Sequence, residues 1–113
     1  MKRFTMMILA ILLAGQARAQ YFDFESECSS GQILYYDITS DSTVEVTYPY
    51  YYNGNYYYGY NEQSGELIIP ETVMYLGKEY AVTSIGDCAF YDCERLTSVN
   101  IPNSVTSIGY YAF

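Results

Sequence analysis

A nine-residue stretch occurs twice in the second half of this chain, and that repetition limits the fold more than any other feature. Val82-Thr83-Ser84-Ile85-Gly86-Asp87-Cys88-Ala89-Phe90 and Val105-Thr106-Ser107-Ile108-Gly109-Tyr110-Tyr111-Ala112-Phe113 agree at seven of nine positions, at an offset of 23 residues. Upstream, LIIPETV (67–73) matches VNIPNSV (99–105) at an offset of 32. The first unit therefore carries nine extra residues, with a turn expected at Gly77-Lys78. A unit this short buries its apolar face only against its neighbours, so the repeats must stack. Within the unit, Leu96-Thr97-Ser98-Val99-Asn100-Ile101 alternates like a half-buried strand. Val99 and Ile101 are expected to face inward, and Ser98 and Asn100 outward. Ile85, Phe90, Leu96, Val99, Ile101 and Ile108 form the expected buried ladder.

Two regions precede the repeats. ILYYDI (33–38) and TVEVTY (43–48) both alternate with period two, placing Leu34, Tyr36 and Ile38, and then Val44, Val46 and Tyr48, on one side. The polar run Thr39-Ser40-Asp41-Ser42 between them predicts a hairpin turn. Residues 48–60 then hold eight tyrosines in thirteen positions around Asn53-Gly54, a dipeptide suited to a tight hairpin. As a bland reading, this is a solvated low-complexity loop. As a functional one, Tyr50, Tyr51, Tyr52, Tyr56, Tyr57 and Tyr58 form a contact surface, because tyrosine buries large area at low rotamer cost.

The N-terminus has its own pattern. Lys2 and Arg3 precede the apolar run MMILAILLA (6–14), and Ala17-Arg18-Ala19 follows. Basic, apolar and A-x-A segments in that order mark a cleaved export signal, with cleavage expected after Ala19. The apolar run is about half of the roughly 20 residues that span a bilayer, so no membrane insertion is expected after cleavage. With the signal go three bases, leaving Lys78 and Arg95 against thirteen acids, a net charge of −11. Such a surface repels phosphate backbones, which excludes nucleic acid as a partner. The organisation expected is a signal over 1–19, a β-hairpin cap with the tyrosine insertion over 20–64, and about two repeats over 65–113.

Catalysis finds little support. The chain has no histidine, the commonest general base and nucleophile partner. Glu25 and Glu27 read as solvated acids, and Asp37 to Asp41 as a turn rather than a calcium loop. No catalytic, metal or cofactor residue is assigned, and no cofactor is expected. Cys28, Cys88 and Cys93 leave three disulfide pairings open.

The stretch A-F-x-x-C-x-x-L-T-S-V-x-I-P-x-S-V-T-S-I-G-x-x-A-F, from Ala89 to Phe113, resembles the BspA-like leucine-rich repeats of bacterial surface proteins. Gly31–Ile38 and Gly77–Gly86 are similar to that family's N-terminal cap. The resemblance implies a mainly β fold, a hairpin cap followed by a short parallel β solenoid, at the cell surface. It implies adhesion to proteins of a host or of other bacteria, and a core position for Cys93. With Cys93 in the core, Cys28 and Cys88 become the favoured pair. The chain stops where the next repeat's strand is expected, so the array reads as shortened. Its open end, with Ile108 and Phe113, is then exposed and expected to associate with another chain.

The leading function is a non-catalytic interaction or adhesion module for an extracellular protein, with the tyrosine hairpin, Ser98 and Asn100 as contacts. The alternatives are a glycan-binding module using the tyrosine hairpin and an inactive N-terminal fragment of a longer repeat protein. Intact-mass analysis of the exported protein should find Gln20 as its first residue; a product retaining residues 6–14 contradicts the signal assignment.

Overall fold

The computed structural model describes residues 22–48, 51–52, 55–56 and 63–113. Strand β1 (Phe24–Glu27) pairs antiparallel with β2 (Ile33–Ile38), and β2 pairs antiparallel with β3 (Thr43–Thr47). The register sets Tyr36 opposite both Phe24 and Val46. The alternation expected of β2 and β3 holds: Leu34, Tyr36, Val44, Val46 and Tyr48 are buried. Ile38 departs from it and is exposed, since it ends its strand beside the polar turn. That turn closes through Thr39 N–H donating to the Thr43 carbonyl at 2.9 Å and a Thr39–Thr43 hydroxyl contact of 2.7 Å. Strand β1 was not anticipated, because Glu25 and Glu27 gave its segment a solvated look. Both are exposed, while Phe24 between them and the chain start is buried.

Next come β4 (Tyr51–Tyr52) and β5 (Asn55–Tyr56), paired antiparallel with Tyr51 opposite Tyr56. Asn53 and Gly54, the expected turn, lie outside the described residues. Strands β6 (Gly65–Ile68), β7 (Thr72–Tyr75), β8 (Lys78–Ile85), β9 (Leu96–Asn100) and β10 (Ser107–Ile108) complete the chain. Among the described residues there is no helix.

The nine extra residues of the first repeat fall in the β7–β8 hairpin, which sets Tyr75 opposite Lys78. Its turn is therefore Leu76-Gly77, one residue earlier than expected, with φ of 52° and 80°. Both positive angles match the two-residue turn whose twist suits a hairpin. Glycine takes that conformation freely, whereas leucine is strained there.

Three parallel pairings stack the chain on itself: β3 with β8, β8 with β10, and β6 with β9. Two of them reproduce the sequence repeat. Ser84 pairs with Ser107 and Ile85 with Ile108, the 23-residue offset. Leu67 pairs with Val99 and Ile68 with Asn100, the 32-residue offset. Strand β3 takes the place of a preceding repeat strand without sharing its sequence, and its register with β8 shifts after Val44. The repeated corners are tied as well, with Cys88 N–H donating to the Tyr110 carbonyl and Phe90 N–H to that of Ala112, at 3.1 and 2.7 Å.

The core lies between these layers. Tyr36, Phe90, Leu34, Leu67, Ile69, Ile85, Val44, Val46 and Val82 are its largest enclosed side chains. Phe24 stacks on Tyr36 at 5.1 Å and on Tyr75 at 4.3 Å, fastening the hairpin to the N-terminal sheet. The expected ladder is only partly enclosed. Ile85 and Phe90 are buried, Leu96 and Val99 half-buried, and Ile101 and Ile108 are 38% and 50% exposed. Burial here depends on stacked neighbours: β8 has strands on both edges, whereas β10 has one partner among the described residues. Phe113, 52% exposed, shows the same one-sided cover.

Phe90→Ala should destabilise the protein by about 3–5 kcal/mol, a large share of the roughly 5–15 kcal/mol of a typical domain. Chemical denaturation checks this against exposed Asn103→Ala, which should be near neutral. Equal midpoints for the two variants would contradict the stacked core.

Candidate contact surfaces

The sequence-derived contact residues occupy separate places. Tyr51, Tyr52 and Tyr56 form β4 and β5, while Tyr50, Tyr57 and Tyr58 lie outside the described residues. Ser98 and Asn100 are exposed on β9, as the alternation of that strand requires, beside Glu66 and Ile68 of β6. The start of β6 is held to the N-terminal sheet by amides. Gln32 Nε2 donates to the Ser64 and Glu66 carbonyls at 2.8 and 3.1 Å, and Gln63 Nε2 to the Ile33 carbonyl at 2.7 Å. These bonds anchor the far end of the segment that carries the tyrosines.

No disulfide joins Cys28, Cys88 and Cys93, so the favoured Cys28–Cys88 pairing is not formed. Each of the two is accommodated separately. Cys28 is buried within 3.2 Å of the Ser30 hydroxyl, in a small network with Gln32. Cys88 is buried in the repeat corner with a φ of 59°. Cys93, implied to be the core cysteine, is only half-buried against the core. Burial and then the Asp92 carboxylate push its thiol up to about 11, which keeps it protonated and unreactive at neutral pH.

A row of acids crosses the outer face of the large sheet, built by strand register. Asp37 on β2 stands opposite Glu45 on β3, and Glu45 opposite Ser84 on β8, which pairs with Ser107 on β10. Asp23 joins the row, accepting the Ile38 N–H at 2.7 Å. Ser84 donates its hydroxyl to Glu45 at 3.1 Å. Burial first, and then the charges of Asp23 and Glu45, raise the Asp37 carboxyl, against smaller hydrogen-bond contributions from Asp23 and Thr47 that lower it. At the end of the row a shallow cleft of about 250 Å³ is lined by Glu45, Asp87 and the Ile85–Gly86 and Ile108–Gly109 corners. Close approach requires glycine at Gly109, where a Cβ would collide with the Asp87 backbone. At Gly86 a Cβ would stand 2.6 Å from Glu45 Oε2, the movable end of a flexible side chain. Among the described residues, no group of three or more histidine, cysteine or acidic side chains could hold a metal ion.

The exposed aromatic residues that the structure gathers lie elsewhere, at the repeat corner. Tyr91, Tyr110 and Tyr111 are 39%, 69% and 67% exposed. Tyr111 meets Tyr91 edge-on at 6.2 Å and Tyr110 at 5.5 Å. Strand alternation does not mark them, because the repeat puts these positions in a bend. The available signal was the replacement of Asp87-Cys88 by Tyr110-Tyr111 between otherwise matching units.

Residues 79–113 match the family described as BspA type leucine rich repeat region, over the same segment whose register repeats at 23 residues. This segment is a BspA-type leucine-rich repeat region. The similarity extends beyond it in two crystal structures. One is a leucine-rich cell surface protein from Faecalibacterium prausnitzii, with a TM-score of 0.58 and 26% identity over 82% of this chain. The other is a leucine-rich repeat protein from Bacteroides ovatus, with the same TM-score and 30% identity over 82% of this chain. Each alignment covers 21% of the larger protein, so the chain spans about a fifth of the length of these relatives. No curated protein matches the sequence. The BspA-type repeats here are thus the mainly β, partly parallel part of a fold shared with larger bacterial leucine-rich proteins.

The acid row yields a pH dependence. A carboxyl raised in the folded state contributes stability at low pH that is lost as pH rises through its folded value. Asp37→Asn should therefore raise the melting temperature at pH 7. The gain should shrink as pH falls through the ordinary carboxylate range, where Asp37 is protonated in both states. Thermal melts of the two proteins across that range check it; a gain that persists at low pH contradicts the assignment.

Proposed function

We propose that the protein is an exported, non-catalytic contact module, a hairpin-capped parallel β solenoid that works at the bacterial cell surface. The observation that carries this reading is the agreement between the BspA-type repeat and the strand register, in a chain similar to a leucine-rich cell surface protein. Export rests on the basic, apolar and A-x-A order of residues 1–19, with release after Ala19. Stacked repeats give a rigid frame with solvent-facing strands and few moving parts, which suits binding rather than chemistry. The absence of histidine from the sequence points the same way.

In this reading the tyrosine hairpin is the principal contact for an extracellular protein ligand, with Ser98 and Asn100 as secondary contacts. The hairpin leaves β3 and rejoins the frame at β6, so both of its ends are anchored in sheets. Tyrosine, asparagine and glycine together offer rigid aromatic area and adaptable hydrogen bonding. A glycan ligand is the second reading, favoured by the same uncharged rings, which can stack on sugar faces.

Replacing Tyr50–Tyr52 and Tyr56–Tyr58 with serine tests both readings. Binding to a panel of immobilised fibrous matrix proteins should fall by roughly tenfold or more, the scale of one or two lost aromatic anchors, with the melting temperature kept. A loss seen on a glycan array alone favours the sugar reading. Unchanged binding on both surfaces removes the hairpin as the contact.

A further inference from the structure

The residue that signal release uncovers is itself reactive. We propose that Gln20 is a modification site, where the new N-terminus closes on its own side chain as a pyroglutamyl lactam. This inference rests on the export reading, because only cleavage after Ala19 gives Gln20 a free α-amine. The α-nitrogen attacks the side-chain carbonyl carbon, Cδ, and a bond forms between them. The bond from Cδ to Nε2 then breaks, and Nε2 takes up the proton that the amine gives up and leaves as ammonia. One amide replaces another, so nothing is oxidised or reduced and no second substrate is consumed.

Two properties of a terminal glutamine drive the step. Nucleophile and acceptor belong to one residue and close an unstrained ring, so the reaction needs no encounter and gains the advantage of enforced proximity. An α-amine also titrates at about 8, well below a lysine. Near neutral pH part of it is therefore unprotonated and able to attack. Inside a chain the same glutamine is inert, because its nitrogen is already an amide.

The fold does not depend on that amine. Phe22 sets its ring edge-on to Tyr35 at 4.9 Å, and Asp23 N–H donates to the Tyr36 carbonyl at 2.9 Å. The next N–H groups along β2 are already engaged, that of Ile38 by the Asp23 carboxylate at 2.7 Å and that of Thr39 by the Thr43 carbonyl at 2.9 Å. The pairing of β1 with β2 is thus closed off at Asp23, whose carboxylate has its donor without a terminal ammonium. Ring closure does change the charge of the cap. Residues 20–77 contain no lysine or arginine, so the α-ammonium is the cation closest in sequence to the exposed Asp23, Glu25 and Glu27. The lactam removes it and leaves the cap wholly anionic. It also leaves an uncharged end, closed to exopeptidases that grip a free amine.

The test is intact-mass analysis and stepwise N-terminal sequencing of protein exported by cells that express the full chain. The mass should lie below that of the Gln20–Phe113 chain by one ammonia, and sequencing should be blocked at the first cycle. Treatment with a pyroglutamyl peptidase should unblock it and give Tyr21 as the first residue read. Gln20→Asn, whose shorter side chain closes only to a strained ring, should be exported at full mass and read from its first residue without that treatment. A product of full Gln20–Phe113 mass with a readable N-terminus overturns the proposal and leaves the export reading intact. A product retaining residues 6–14 overturns both.

Discussion

Strand β8 is paired along both of its edges. Its first half forms the hairpin with β7, its second half carries β10, and β3 runs parallel along the opposite edge. In one strand of eight residues the antiparallel N-terminal sheet is therefore joined to the parallel stacking of the repeats. Val82 and Ile85 project from it into the core and are almost completely buried. Because parallel neighbours are joined only by long connections, the chain must travel through a whole repeat before the next strand returns to this edge. That geometry gives the corner at Asp87–Phe90 its importance. Its backbone bonds to residues 110–112 keep the second unit in step with the first.

The same stacking sets the electrostatics. One outward residue from each successive strand lines up across the sheet, so acids that are distant in sequence become neighbours in space. Asp23, Asp37 and Glu45 come together this way, and burial, then the repulsion of these neighbours, raises the Asp37 carboxyl. The hydroxyls of Ser84 and Ser107 continue the row where further carboxylates would have intensified the repulsion. Solvent tolerates the remaining charge, which favours solubility over compactness.

Much of this was legible in the residues. The offsets of 23 and 32 residues fixed two of the three parallel registers, because matching side chains must occupy matching layers. Period-two alternation located β2 and β3 and most of their buried faces. What escaped the pattern depended on neighbours that no local window contains. β1 looked too acidic to be a strand, yet it pairs through its backbone and buries Phe24 against Tyr36 and Tyr75. The parallel match of β3 to β8 could not be read at all, since TVEVT and VTSIG share a shape and not a sequence.

The polar and aromatic features divide along the same line. Composition alone marked the tyrosine segment, and alternation marked Ser98 and Asn100, because both are properties of consecutive residues. The aromatic corner required two turns of chain to be brought side by side, with Tyr91 from one and Tyr111 from the next. The cysteines show the reverse case. Spacing left every pairing open, and the fold joins none of the three, placing each in a different environment. Sequence by itself determined the repeat, its register and its strand faces, since these follow from periodicity. Tertiary structure decided which members of the ladder are enclosed, because burial depends on a neighbour on each side: among the described residues Ile85 has one above and below, and Ile108 has one.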